Sequence, residues 1–179
     1  MDTLLDLATP ALKSLSRQEQ LSAQLALHIE RYILYPPFVQ RVNDLPQLQW
    51  HSIDFDMAHR DKLPRSKGVY AFAIEFNDSR LPKTSHITYI GKAGDDNSNN
   101  TIWNRFYDYV RHRNIGDRPR ISEMLTRWEG HLRYYYAVVP AGFSTGDVEE
   151  HLIDILMPPY NRGDYSPELQ SLLKGANIL

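Results

Sequence analysis

The 179-residue chain has no cysteine. That absence excludes disulfides, zinc–thiolate sites and thiol nucleophiles together, and it leaves the redox compartment open. No apolar run approaches the roughly 18 residues needed to span a bilayer, so no membrane attachment is expected. The start, Met1-Asp2-Thr3-Leu4, carries acid where a secretory leader carries base. A cytoplasmic location follows by default. Internal repeats and low-complexity tracts are absent, as are the G-x-x-x-x-G-K-[ST] phosphate loop and the H-E-x-x-H zinc motif. Seven histidines, at positions 28, 51, 59, 86, 112, 131 and 151, are scattered with no ligand-like pair.

Apolar residues make up 42% of the chain, enough for a real core, and charged residues an ordinary 23%. The length fits one compact domain with an added subdomain. A net charge of -2 is unpromising for a nucleic-acid binder, but its distribution is uneven. Residues 1–59 hold four Lys/Arg against seven Asp/Glu, residues 60–139 hold 14 against nine, and residues 140–179 hold two against six. A basic middle thus lies between acidic ends, and the local field rather than the net charge steers a polyanion. A solvated mixed-charge surface gives the same counts.

Ser16-Arg17-Gln18-Glu19 reads as a capping box. Leu21, Leu25, Ile29 and Ile33 follow at helical spacing, and Pro36-Pro37 is expected to end that helix. Residues 36–66 read as a connector with one short strand near Trp50–Phe55. Gly68 to Phe76 is β-rich and almost continuously apolar, and His86 to Gly91 reads as its antiparallel partner across a long loop. Polar residues Gly94 to Asn100 precede a helix marked by Ile102, Trp103, Phe106 and Val110. Pro119 suits the first position of another helix with core residues Ile121, Leu125 and Trp128, and Gly130 suits its end. Leu132 to Val139 predicts a third strand. Ser144 or Thr145 then caps a helix through Leu156, which Pro158-Pro159 stops. The expected class is α/β (α+β): a three-stranded antiparallel sheet flanked by helices in the order β-β-α-α-β-α, with an N-terminal helical extension.

Several polar residues remain once the core positions are assigned. Arg105 and Tyr109 are four apart on one helix and share a face. Lys92 directly follows the second strand, Glu149 opens the last helix, and Asn161 lies just past Pro158-Pro159. Such element ends are where functional side chains often converge. As a set they suit phosphodiester hydrolysis, which needs an in-line nucleophile, a proton acceptor, charge neutralisation at phosphate and help for the leaving oxygen. Arginine can bridge two phosphate oxygens, and a carboxylate can hold a hard cation such as Mg²⁺. One carboxylate fits a single ion better than a pair. Taken singly, each residue has an ordinary explanation: tyrosines at a core rim, Arg105 paired with Asp108, Glu149 favoured by a helix N-terminus.

Gly68-Val69-Tyr70 followed by Tyr89-Ile90-Gly91 resembles the paired signature of the GIY-YIG nuclease superfamily. Three further stretches support it. Tyr89-Ile90-Gly91-Lys92-Ala93 is similar to the second strand of the incision subunit of bacterial nucleotide excision repair. Trp103-Asn104-Arg105-Phe106 is similar to the helix carrying the family arginine. Glu149-Glu150-His151-Leu152-Ile153 through Pro158-Pro159-Tyr160-Asn161 is similar to the glutamate helix and its ending. The resemblance covers roughly residues 66–162, and the polar insertion Asp95 to Asn100 departs from compact members. It implies a nuclease core at 66–165, between an N-terminal extension and connector at 1–65 and a C-terminal tail at 166–179.

The roles it implies are these. Tyr70 and Tyr89 orient or deprotonate the attacking water, with the base undecided between them. Lys92 holds or activates water near the phosphate, and Arg105 binds the scissile phosphate. Tyr109 points into the site, Glu149 (rather than Glu150) is the sole protein ligand of Mg²⁺ or Mn²⁺, and Asn161 braces the site. Arg111, Arg113, Arg118 and Arg120 are candidates for contacts with the DNA backbone, which add affinity without sequence information. His112, seven residues after Arg105, is a candidate for the site's edge. The implied activity is a metal-dependent DNA endonuclease (a phosphodiester hydrolase) of a restriction or defence, mobile-element or repair type. The alternatives are a non-catalytic nucleic-acid-binding module with the same fold and, with only charge distribution behind it, a protein-interaction or toxin component. Cutting both strands with one site requires a dimer or successive nicks.

Overall fold

One antiparallel sheet organises the computed structural model, which describes residues 16–76, 78–95, 98–111 and 118–178. Its strands are β1 (His51–Asp54), β2 (Gly68–Glu75), β3 (Ser85–Ala93) and β4 (Leu132–Val138), in the spatial order β1-β4-β2-β3. The helices among the described residues are α1 (Arg17–Leu27), α2 (Pro36–Val39), α3 (Ile102–Arg111), α4 (Pro119–Arg127), α5 (Thr145–Leu156) and α6 (Pro167–Gly175), with 3-10 turns at Gln40–Asp44, Met57–Lys62 and Pro159–Asn161. From β2 to α5 the order is the expected β-β-α-α-β-α.

The sheet has four strands, not three. The short strand expected near Trp50–Phe55 joins it as β1, pairing with β4 through four residues from His51 opposite Tyr136 to Asp54 opposite Arg133. Four residues are too few to show a period that distinguishes a sheet edge from a connector.

Strand β2 is nearly continuous in apolar residues because both faces of the sheet are covered. Tyr70, Phe72 and Ile74 point to the side packed by α3 and α4, together with Tyr89, Phe106, Tyr109, Met124, Leu125 and Tyr134. Val69 and Ala71 point to the side packed by α5 and α6, with Ile90, Val148, Leu152, Ile153, Leu169 and Leu173. The same alternation sends Tyr134 and Tyr136 to the α3/α4 side and Tyr135 to the other. Phe72 is the hub of the first side. It makes edge-on ring contacts with Phe55 at 4.9 Å and with Tyr109 and Tyr134 at 5.3 Å each.

The local stops act as the residue types dictate. Thr101 accepts from the Asn104 N–H at the start of α3, Pro119 sits in the first turn of α4, and Ser144 caps α5 by accepting from the Asp147 N–H. Gly130 adopts a positive φ of 81° just beyond α4. Helix α5 ends at Met157 in the left-handed region (φ 45°), before the two prolines.

The N-terminal region departs from expectation. The Ser16–Glu19 capping box is present, but α1 ends at Leu27, well before Pro36. The Leu21, Leu25 and Ile29 stripe stays exposed, and α1 buries no residue. Helical spacing without a surface to cover does not sustain a helix. After His28 the chain instead packs back on α4: the His28 ring meets Trp128 edge-on at 5.2 Å, and Glu30 accepts from Arg127 at 3.0 Å. Pro36-Pro37 start a helix, α2, rather than end one, and Phe38 on it is buried beside α5 and α6. Residues 166–179, expected as a tail, contain α6. Its Leu169 and Leu173 are core residues, and its Glu168 forms a two-bond fork with Arg41 (2.8 and 3.0 Å). Among the described residues no helix is long and apolar enough to cross a membrane.

Truncating the hub should be costly. Phe72→Ala is expected to lose about 3–5 kcal/mol of stability, the range for deleting a fully buried aromatic ring, as read by urea unfolding. A loss near zero would mean the sheet face repacks around the gap.

Candidate active site

Two glycines set the geometry. Gly68 lies so close to β4 that a Cβ there would overlap the Ala137 carbonyl oxygen and come 2.7 Å from Ile102 Cδ1. Gly91 faces Tyr70 across the β2–β3 ladder, and a Cβ there would overlap the hydroxyl end of the Tyr70 ring. Both need the missing side chain for close approach rather than for an unusual φ. The bare backbone at Gly91 lets the Tyr70 ring lie across β3. Its hydroxyl then meets that of Tyr109, on α3, at 2.8 Å, and its face stacks on Tyr134 at 5.4 Å.

Tyr70 and Tyr89 lie at the edge of an open cleft of about 830 Å³, also lined by Lys92, Arg105, Arg118, Arg120, Glu149 and Asp164. The cleft segregates charge by element. Strand β3, α3 and the start of α4 supply Lys92, Arg105, Arg118 and Arg120. Helix α5 and the turn after it supply Asp147, Glu149, Glu150 and Asp164. Lys92 spans the two groups, with its Nζ 3.7 Å from Glu149 and 3.6 Å from Asp95. Gly146 leaves room for that ammonium, since a Cβ there would lie 3.1 Å from Nζ. Arg105 is weakly held: among the described residues its one ion pair, with Asp108, is 4.0 Å long, and its buried Nε has no hydrogen-bond partner.

Protonation follows from burial. Burial pushes the Tyr70 phenol well above its ordinary value, with Tyr109, Tyr89 and Tyr134 adding to the rise. Tyr89 is raised too, chiefly by burial and then by Tyr109. Both hydroxyls therefore keep their protons at neutral pH. The Glu149 carboxyl is raised by burial, an effect that Lys92 opposes and Asp164 reinforces. Its negative charge is under-compensated by the protein.

Asn161 stands outside the cleft lining but controls its floor. Strand β3 is an edge strand, and at Ile90 its outward peptide groups would lack partners. The Asn161 side chain supplies both: Oδ1 accepts from the Ile90 N–H at 2.7 Å, and Nδ2 donates to the Ile90 carbonyl at 2.9 Å. One amide thus stands in for a neighbouring strand between Tyr89 and Gly91. Its Nδ2 also donates to Asp164 at 3.0 Å.

The structure brings together Tyr70, Tyr89, Lys92, Arg105 and Glu149 in one cleft, with Tyr109 behind Tyr70 and Asn161 beneath β3. Three of the four arginines expected to contact the DNA backbone lie among the described residues. Arg118 and Arg120 line the cleft, and Arg118 reaches the Tyr109 hydroxyl at 3.5 Å. Arg111 lies over the Tyr107 ring instead. Arg113 and His112 fall outside the described residues. Sequence reasoning missed Asp164. Its three-residue offset from Asn161, across a turn that follows two prolines, was the one available signal. No family model matches the chain, no curated protein is similar to it, and no solved structure matches it.

Two stability measurements probe this arrangement. Asn161→Ala orphans the buried N–H and C=O of Ile90 and is expected to cost about 1–3 kcal/mol for each unpaired group, with faster amide exchange at Ile90. Unchanged exchange there would show that the edge is satisfied some other way. Glu149→Gln is expected to raise the melting temperature at neutral pH. A raised folded-state pKa means the carboxylate's stability contribution falls as pH rises through that value, so the advantage of glutamine should fade as the pH is lowered and Glu149 takes its proton. A lower melting temperature for Glu149→Gln at neutral pH would mean that Lys92 outweighs burial.

Proposed function

We propose that the chain is a metal-dependent DNA endonuclease of the GIY-YIG type. The observation that carries this reading is the convergence on one cleft of a weakly held arginine, an under-compensated, half-buried carboxylate and two tyrosines, from four separate elements. Phosphodiester hydrolysis needs positive charge for the phosphate and a place for a cation in the same space, and the segregated cleft provides both.

The residues fit a single divalent ion. Among the described residues no three His, Cys, Asp or Glu side chains are grouped to cage a metal. Mg²⁺ characteristically keeps most of its waters and takes only one or two carboxylates. Glu149 would hold it, and the ion would relieve the carboxylate's uncompensated charge. When bound, Mg²⁺ or Mn²⁺ supplies Lewis acidity at the phosphate and its leaving oxygen.

The chain's own residues do the rest. Arg105, with Nε unpaired among the described residues and Asp108 as far as 4.0 Å away, turns its planar fork to the scissile phosphate. Tyr70 and Tyr89, protonated at neutral pH, orient the attacking water through hydrogen bonds, and the proton that water gives up passes to solvent in the open cleft. Lys92 keeps Glu149 ionised and holds water near the phosphate. Arg118 and Arg120 contact flanking phosphates. Such a nuclease serves restriction or defence, a mobile element or repair, and it cuts duplexes by successive nicks or as a dimer.

Purified protein is expected to nick supercoiled plasmid with Mg²⁺ or Mn²⁺. Arg105→Ala should lower the rate by about 10²–10³, the range for removing one preorganised electrostatic donor, and Glu149→Ala should abolish cutting. Robust cutting by Glu149→Ala with excess metal would defeat the mechanism. DNA binding without cleavage across several substrates and metals would identify a binding module instead.

A further inference from the structure

On the side of α3 turned away from the cleft, arginines and aromatic rings alternate. Trp103, Tyr107 and Arg111 recur every four residues along the helix and share a face. Arg60, from the 3-10 turn Met57–Lys62, lies between the first two. Its guanidinium carbon is 3.2 Å from the Trp103 ring centre and 3.7 Å from that of Tyr107. Arg65 lies against Trp103 at 4.0 Å, and Arg111 over Tyr107 at 5.7 Å. Backbone bonds fix this arrangement: the N–H groups of Ile102 and Trp103 donate to the carbonyls of Ser66 and Pro64 at 3.0 and 3.2 Å.

What distinguishes these arginines is a ring face as partner with no acid beside it among the described residues. Arg41, Arg80 and Arg133 each meet a carboxylate within 2.8 Å. Among the described residues no carboxylate lies within ion-pair distance of Arg60, Arg65 or Arg111. The Arg60 Nε is buried with no hydrogen-bond partner, while Arg65 and Arg111 are exposed. Ring faces hold a guanidinium by its plane and leave its edge donors free. Such arginines are ordered in advance, so little rotamer freedom is lost when an anion arrives.

We propose that this ladder, Arg65–Trp103–Arg60–Tyr107–Arg111, is a second DNA-contacting surface that grips the phosphate backbone of duplex leaving the cleft. The inference rests on the DNA reading of the cleft. Helix α3 links the two surfaces, because Arg105 lies two residues from both Trp103 and Tyr107 and so on the opposite side of the helix. With its side chains a helix is about 10–12 Å across, comparable to three base-pair steps of roughly 3.4 Å along the duplex axis. Duplex crossing α3 therefore engages Arg105 on one side and the ladder on the other. The contacts are to phosphates, so they add affinity and register but no sequence preference.

The test is fluorescence anisotropy with a short labelled DNA duplex over a salt series. Full-length Glu149→Gln protein serves as the parent, so that the probe survives. Adding Arg65→Gln and Arg111→Gln is expected to weaken binding and to lower the slope of log Kd against log salt by about two, one for each lost phosphate contact. The melting temperature should not move, because both side chains are exposed. A charge-matched control, Arg17→Gln with Arg80→Gln, should leave the slope unchanged. Unchanged affinity and slope in the ladder variant, with the parent still binding, would overturn the ladder and leave the cleft reading intact. An equal loss in the control would also overturn it, by reducing the effect to net charge. A parent that binds no duplex even at low salt would overturn the ladder and the DNA reading together.

Discussion

The site depends on how closely the Tyr70 ring approaches the backbone of the neighbouring strand. Without a Cβ at Gly91 the ring lies flat across β3, and its hydroxyl bonds to Tyr109 on α3. That contact fixes the distance between sheet and helix. Arg105, one turn before Tyr109, is thereby aimed into the same cleft as Tyr89 and Lys92, which belong to β3 itself. Gly68 does the matching work on the opposite edge of β2, where it lets β4 and Ile102 close in. Two missing side chains thus determine where the polar groups stand.

The cleft holds its polar groups at a cost in stability. Burial makes the Glu149 carboxyl reluctant to ionise, and Lys92, 3.7 Å away, compensates it only in part. Arg105, whose Nε is buried and unpaired among the described residues, adds to that cost. Several charges outside the cleft are paired: Arg41 forks onto Glu168, Arg127 meets Glu30 and Glu123, and Arg133 bridges Asp54 and Glu75. Among the described residues the buried side-chain atoms without a partner include Arg105 Nε in the cleft and Arg60 Nε on the opposite side of α3.

Much of the fold was legible because burial imposes periodicity. The run from Gly68 reads as a strand covered on both faces, and Ile102, Phe106 and Val110 mark one side of a helix. Legibility failed where tertiary contacts override local pattern. Leu25 and Ile29 have helical spacing, yet the chain leaves the helix after Leu27 because His28 and Glu30 find partners on α4. His51–Asp54 is too short to declare itself a sheet edge. In the site, each residue on a regular element was readable, since Arg105 with Tyr109 and Glu149 sit at definite helical positions. Asp164 and the split between Arg111 and Arg118 were not, because both depend on how turns fold back in space rather than on spacing along the chain.

Asn161 bonds to Ile90 across 71 positions of sequence, and Glu149 reaches the cleft from nearly as far beyond β3. On a ribosome making the chain from its amino end, the tyrosine-lined strands and the arginine helix emerge first. The acid and the amide that props the strand edge come out after them. A polypeptide made only as far as α4 therefore has the tyrosine and arginine side of the cleft without its acidic side, so the cleft is complete only once α5 and the turn after it have been made.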